Sequence, residues 1–134
     1  MNIELTRKQF RRLLDMVYIG NWVLNAMRGD DRLTDYDDVE SLLFGMCAAN
    51  GMESLCRHVT PGGCEPSRAF AEGGIHEAIM EYEDTVFFEI LAEELARRDL
   101  EMEASDDAEL LNERISAYIA EFERNGTDNI SLEL

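Results

Sequence analysis

Tyr18, Asn21, Asn25 and Arg28 recur at spacings of three and four, so on one helix they share a face. Together they offer a phenol, two amides and a guanidinium. That set can orient a polar ligand and grip a carboxylate or phosphate, but it holds no nucleophile or general base for neutral pH. The bland alternative is a hydrogen-bonded seam between packed helices, because a buried amide without partners costs about 1–3 kcal/mol. The seam is the preferred expectation, and these four residues are the ligand-binding candidates if a small molecule binds.

Cys56, His58, Cys64 and His76 carry donor atoms suited to zinc. Their order along the chain lacks the paired short spacings of structural zinc motifs, and cysteines also serve as small buried hydrophobes. The expectation is therefore no metal and no cofactor. Glu72, Glu77, Glu81, Glu83 and Asp84 supply carboxylates near His76, but no Glu-x-x-His occurs, so these acids read as a solvated face. Phosphate-binding glycine loops, serine elbows and zincin motifs are absent, and no catalytic residue is assigned.

These side chains need helices to hold them. Thr6 and Gln9 form a capping box opening a helix over about Arg7–Arg28, stopped by Gly29. Its second half, with Ile19, Trp22, Val23 and Ala26 continuing the direction of Arg11 and Asp15, is apolar all round. That predicts a central helix with Trp22 largely buried. A second helix begins near Asp35–Asp38, buries Val39, Leu42, Leu43 and Met46, and ends at Asn50-Gly51. A turn over Met52–Cys56 leads to an irregular stretch, Arg57 to Gly74, holding both prolines and four of the nine glycines. Helix resumes from Ile75 to about Asp99 with a break near Glu83–Asp84, and a last helix spans about Asp107–Asn125, burying Leu111, Ile115, Tyr118 and Phe122.

"NIEL" and "NISLEL" alternate apolar and polar residues, which predicts a short strand pair, Ile3–Leu5 with Ile130–Leu132. The fold class is thus all-α: a bundle of four to five helices around a central first helix, in one domain over residues 1–134.

A net charge of −17 excludes direct phosphate contact with nucleic acid as the main activity. Residues 1–28 hold five basic and two acidic groups, while the rest of the chain holds seven basic against 27 acidic. Arg7, Lys8, Arg11 and Arg12 oppose the dipole at a helix start, so they need carboxylates, from this chain or from an acidic partner. No apolar run is long enough to span a membrane, no secretory leader is evident, and three cysteines suit a reducing cytoplasm.

The stretches "YIGNWVLNAMR", "EYEDTVFFEILAEELARRDL" and "EFERNG" resemble a small bacterial protein family of uncharacterised function. The resemblance covers most of the chain and implies no activity, cofactor or site residue. Two functions follow from the residues themselves. One is an acidic helical interaction or regulatory module, monomeric or homodimeric, with a protein partner. The other is a small-molecule protein or enzyme using the polar stripe.

Overall fold

In the computed structural model, which describes residues 1–59 and 61–134, the chain is mainly α-helical. Thr60, within the segment expected to be irregular, lies outside the described residues. Four long helices form: α1 (Arg7–Asn25), α2 (Thr34–Phe44), α4 (His76–Met102) and α5 (Ala108–Asn125), with a single turn, α3 (Arg68–Phe70), ahead of α4. An antiparallel pair, β1 (Cys56–Val59) and β2 (Gly63–Pro66), lies between α2 and α3. Among the described residues no helix is long and apolar enough to cross a membrane. The chain gathers into two compact units, Met1–Ile79 and Met80–Leu134.

In the first unit, Thr6 caps α1 as its sequence predicts. The Gln9 amide donates to the Thr6 hydroxyl, and the Gln9 side chain accepts from the Thr6 amide. The buried stripe of α1 is Phe10, Leu14, Asn21 and Asn25. Phe10 and Leu14 join Phe44, Cys47, Met52, Cys64 and Phe70 in one core, and burying a side chain such as Leu14 or Phe44 contributes about 1.5–3 kcal/mol. Trp22 does not follow the expectation of burial. It stacks on Tyr18 and meets His76 edge-on, yet 38% of its surface stays exposed, and Val23 and Ala26 are exposed too. The second half of α1 buries its amides and leaves its apolar flank open.

Helix α2 inverts its reading in the same way. Phe44 and Cys47 are fully buried, whereas Val39, Leu42 and Met46 are exposed and Leu43 is half-buried. The helix also stops at Phe44, and the Asn50-Gly51 cap closes a separate 3-10 turn, Ala48–Asn50.

The strands form where a loop is expected, and the terminal segments form none, so the Ile3–Leu5 and Ile130–Leu132 pairing is corrected. Two neighbours hold the hairpin. The Cys64 amide donates to the Ser41 hydroxyl of α2, and Ser67 closes the base through its amide to Leu55 O and its hydroxyl to Ser54 O. The terminal segments have no such partners. Gly62, at φ +113°, adopts a conformation that L side chains avoid, which suits the chain reversal between the strands. Within Ala71–Ile75, Gly73 and Gly74 (φ +108°) leave helical geometry and make the kink through which the chain enters α4. The break lies there; α4 runs unbroken through Glu83–Asp84.

In the second unit, Ala92, Ala96, Leu100 and Phe122 are buried, and Phe122 packs against Phe88 and Tyr118. Asp107 caps α5 by accepting from the amides of Glu109 and Leu110. Asp99 accepts from Tyr118 (2.5 Å), Arg98 and Arg114, which together hold its carboxyl below the ordinary aspartate range. This unit carries 17 acidic and four basic residues, against twelve and eight in the first.

Candidate functional site

The expected polar stripe divides into three. Asn25 is almost fully buried. Its Nδ2 donates to Asn21 Oδ1 (2.6 Å) and to Leu33 O (3.1 Å), and its Oδ1 accepts from Leu33 N (2.8 Å). This clamp returns the chain after α1 and fixes the residue before α2, which is why α1 ends at Asn25 rather than Arg28. Asn21 donates to Asp37 Oδ1 (3.0 Å), and Arg32 holds the same carboxylate with two bonds, at 2.6 and 2.7 Å. Arg32, followed by Asn21, pulls the Asp37 pKa down against the opposing effect of burial. Tyr18 bonds neither amide, its hydroxyl lying 2.6 Å from His76 Nε2. Arg28 turns away to Leu24 O and Asp31. Asn21 and Asn25 are brought together; Tyr18 and Arg28 do not join them.

Beside the Asn21–Asp37 contact opens a cleft of about 530 Å³, lined among others by Tyr18, Arg32, Asp37, Asp38, Glu40 and Cys64. Arg28 is not on its wall. Four carboxylates, with Glu65 the fourth, face one guanidinium that is already committed to Asp37. Such a wall disfavours anions and suits a cation or a neutral hydrogen-bond donor. Glu40 is half-buried. Desolvation pushes its pKa up, with Asp37 and Glu65 adding to the shift and the Asn21 hydrogen bond and Arg32 opposing it. Burial, and then Glu40, also raise the Tyr18 hydroxyl.

The sign for stability follows from the raised carboxyl. Above the ordinary glutamate pKa the native state binds more protons here than the unfolded chain, so this contribution is present at acid pH and fades as pH rises through the raised value. Glu40→Gln is therefore expected to raise the melting temperature at mildly alkaline pH and to change it little at acid pH. A variant less stable than the parent at both would show that the carboxylate, not its desolvation, dominates.

The hairpin supplies the other chemistry. Successive strand residues alternate faces, so Cys56 and His58 share one face of β1, and the register sets Cys64 opposite His58 on that face. Arg57 and Glu65 pair on the reverse face. The Cys56 sulfur, a His58 ring nitrogen and the Cys64 sulfur all lie within 4.8 Å of one another, with Cys64 Sγ 3.2 Å from His58 Nδ1. His76, the fourth expected donor, is occupied with Tyr18 instead. Strand pairing makes this set, and the visible signal was the period of two in Cys-x-His. Burial, the Cys64 hydrogen bond and the neighbouring thiols push Cys56 up to about 12, and burial also raises Cys47. Both are neutral thiols at physiological pH, which argues against either as a nucleophile.

A third feature belongs to neither expectation. An apolar groove of about 830 Å³ runs between the start of α1 and α2, lined by Ile3, Leu5, Leu13, Met16, Leu42 and Met46 with Lys8 and Arg12 beside them. Its α2 wall is the stripe expected to be core. Of the basic cluster, Arg7 donates to Gly51 O, and Arg11 and Arg12 pair with Asp15. Lys8 has no ion-pair partner among the described residues.

Compared with protein-family models, with curated proteins and with solved structures, the chain matches none.

Proposed function

We propose that this chain is an acidic helical interaction module whose first unit receives an amphipathic, acidic helix of a partner protein. The observation that carries the reading is the groove between α1 and α2. Met16, Leu42 and Ile3 lie about two-thirds exposed along it, in a chain able to bury larger side chains elsewhere. Contiguous apolar surface of this kind is uncommon on a monomer and marks interaction sites. Methionines on two walls give it an adaptable lining, as in grooves that hold helices. Lys8, which has no ion-pair partner among the described residues, and Arg12, shared with Asp15, favour carboxylates at the rim. Three free cysteines support a reducing cytoplasm as its setting.

A fluorescently labelled Leu/Glu amphipathic helical peptide provides the test, read by anisotropy. Binding should weaken with added salt and with Lys8→Glu, and should be lost in Leu42→Asp, a solvent-facing change that leaves the fold intact. Equal binding by a scrambled peptide of the same composition would overturn the reading. So would binding indifferent to Leu42→Asp. A dimer in sedimentation that Leu42→Asp dissolves would make a second copy the occupant.

The half-buried Glu40 in its acidic cleft favours a second reading, a small cationic ligand held between α2 and the hairpin. It would appear as an amine whose affinity falls with Glu40→Gln.

A further inference from the structure

The hairpin is short for its position. Two four-residue strands are marginal in water by themselves, and this pair is held to its unit by Ser41 at β2, by Ser67 at the base and by the burial of Cys64 in the core. Its inner face presents two sulfurs and an imidazole to one another, and each donor comes from a different rung of the ladder or a different strand. Cys64 is buried, Cys56 half-buried and His58 exposed, so the set runs from the core of the first unit to its surface.

We propose that Cys56, His58 and Cys64 form a zinc site that staples β1 to β2, with two thiolates and His58 Nδ1 as protein ligands. Three donors of this softness are what zinc selects over magnesium or calcium, which take oxygen. Donor atoms already within 4.8 Å of one another need only a small inward movement to meet one ion. Nδ1 is the ring nitrogen beside Cys64, which leaves Nε2 free for a hydrogen bond that orients the ring. The fourth position falls to water or a group from solution on the His58 side, where the set is open. Binding releases the two thiol protons to the buffer, and each sulfur gives a lone pair to the metal. Cys47, buried in the same core cluster as Cys64, is not one of the converging donors.

Zinc would act here as a cross-strand tie. It joins the two strands across the ladder and adds a covalent-strength tie to a hairpin otherwise held by Ser41, Ser67 and the burial of Cys64. The site is independent of the groove between α1 and α2, so either proposal can fail without the other.

The full chain, purified under reducing conditions without a metal-affinity column and stripped with chelator, is titrated with cobalt(II) as the spectroscopic stand-in. A thiolate-to-cobalt charge-transfer band and intense tetrahedral d–d bands should saturate at one metal per chain and disappear when zinc is added. Cys56→Ser and Cys64→Ser should lose the charge-transfer intensity stepwise, His58→Ala should lose the tetrahedral d–d bands, and Cys47→Ser should keep the full spectrum. Because Cys64 is buried and its variant can misfold, the exposed His58→Ala carries the decisive comparison. Zinc should raise the melting temperature of the parent and not that of His58→Ala. A folded, reduced parent that gives no charge-transfer band overturns the proposal. A spectrum unchanged in His58→Ala, or one that requires Cys47, does the same.

Discussion

Phe70→Ala is expected to destabilise the first unit by about 3–5 kcal/mol, the range for emptying an aromatic site in a closed core. Phe70 is 1% exposed and meets Phe44 at 4.9 Å and Tyr18 at 5.2 Å between ring centroids, both edge-on. The Arg11 guanidinium lies 4.9 Å over its ring and adds a cation–π contact. Removing the ring thus breaks three aromatic or charged contacts and leaves a void that Phe44, itself fully buried, has little freedom to fill. The single turn α3 that carries Phe70 has no other buried residue, so the segment joining β2 to α4 loses its anchor. Denaturant unfolding followed through Trp22, the only tryptophan, reads this unit directly. A loss below about 1 kcal/mol would mean the core relaxes around the void far better than aromatic cores usually do.

Asn25→Ala should cost about 2–4 kcal/mol, although it removes no apolar packing of note. Three hydrogen bonds end on this one amide, and two of them hold both backbone groups of Leu33. Truncation leaves those groups and Asn21 Oδ1 to find water in a half-buried place, which is the costly side of a hydrogen-bond deletion. Asn25→Asp should be no milder, since a carboxylate accepts from Leu33 N but cannot donate to Asn21 or Leu33 O. Chemical denaturation of both variants checks this. An aspartate variant as stable as the parent would show that the single bond to Leu33 N carries the clamp.

The helices were legible where local chemistry decides them. Thr6 with Gln9, Asp107, and Gly126 set three of the ends, because capping is satisfied within a few residues of chain. Coverage was not legible. Val39, Leu42 and Met46 repeat at helical spacing as any core stripe does, and only the tertiary structure shows that Phe44 and Cys47 face inward instead. Strand pairing failed for a related reason. "NIEL" and "NISLEL" alternate more cleanly than "CRHV", but alternation records a face and not a partner, and Ser41 and Ser67 supply partners only to the hairpin. Of the candidate site, the Asn21–Asn25 contact followed from spacing on one helix. The Cys56–His58–Cys64 cluster did not, because two of its members meet only through the register of β1 on β2.

The uneven division of charge gives the two units different masters. With 17 acids and four bases, the helical hairpin of Met80–Leu134 folds against its own repulsion, and that repulsion reaches only as far as the surrounding ions allow, about 8 Å at physiological ionic strength. The first unit, closer to balanced, has less net repulsion to screen and buries Phe44, Phe70 and Leu14 in its core. Added salt is therefore expected to stabilise the second unit more than the first, so the medium itself sets how firm each part of the molecule is.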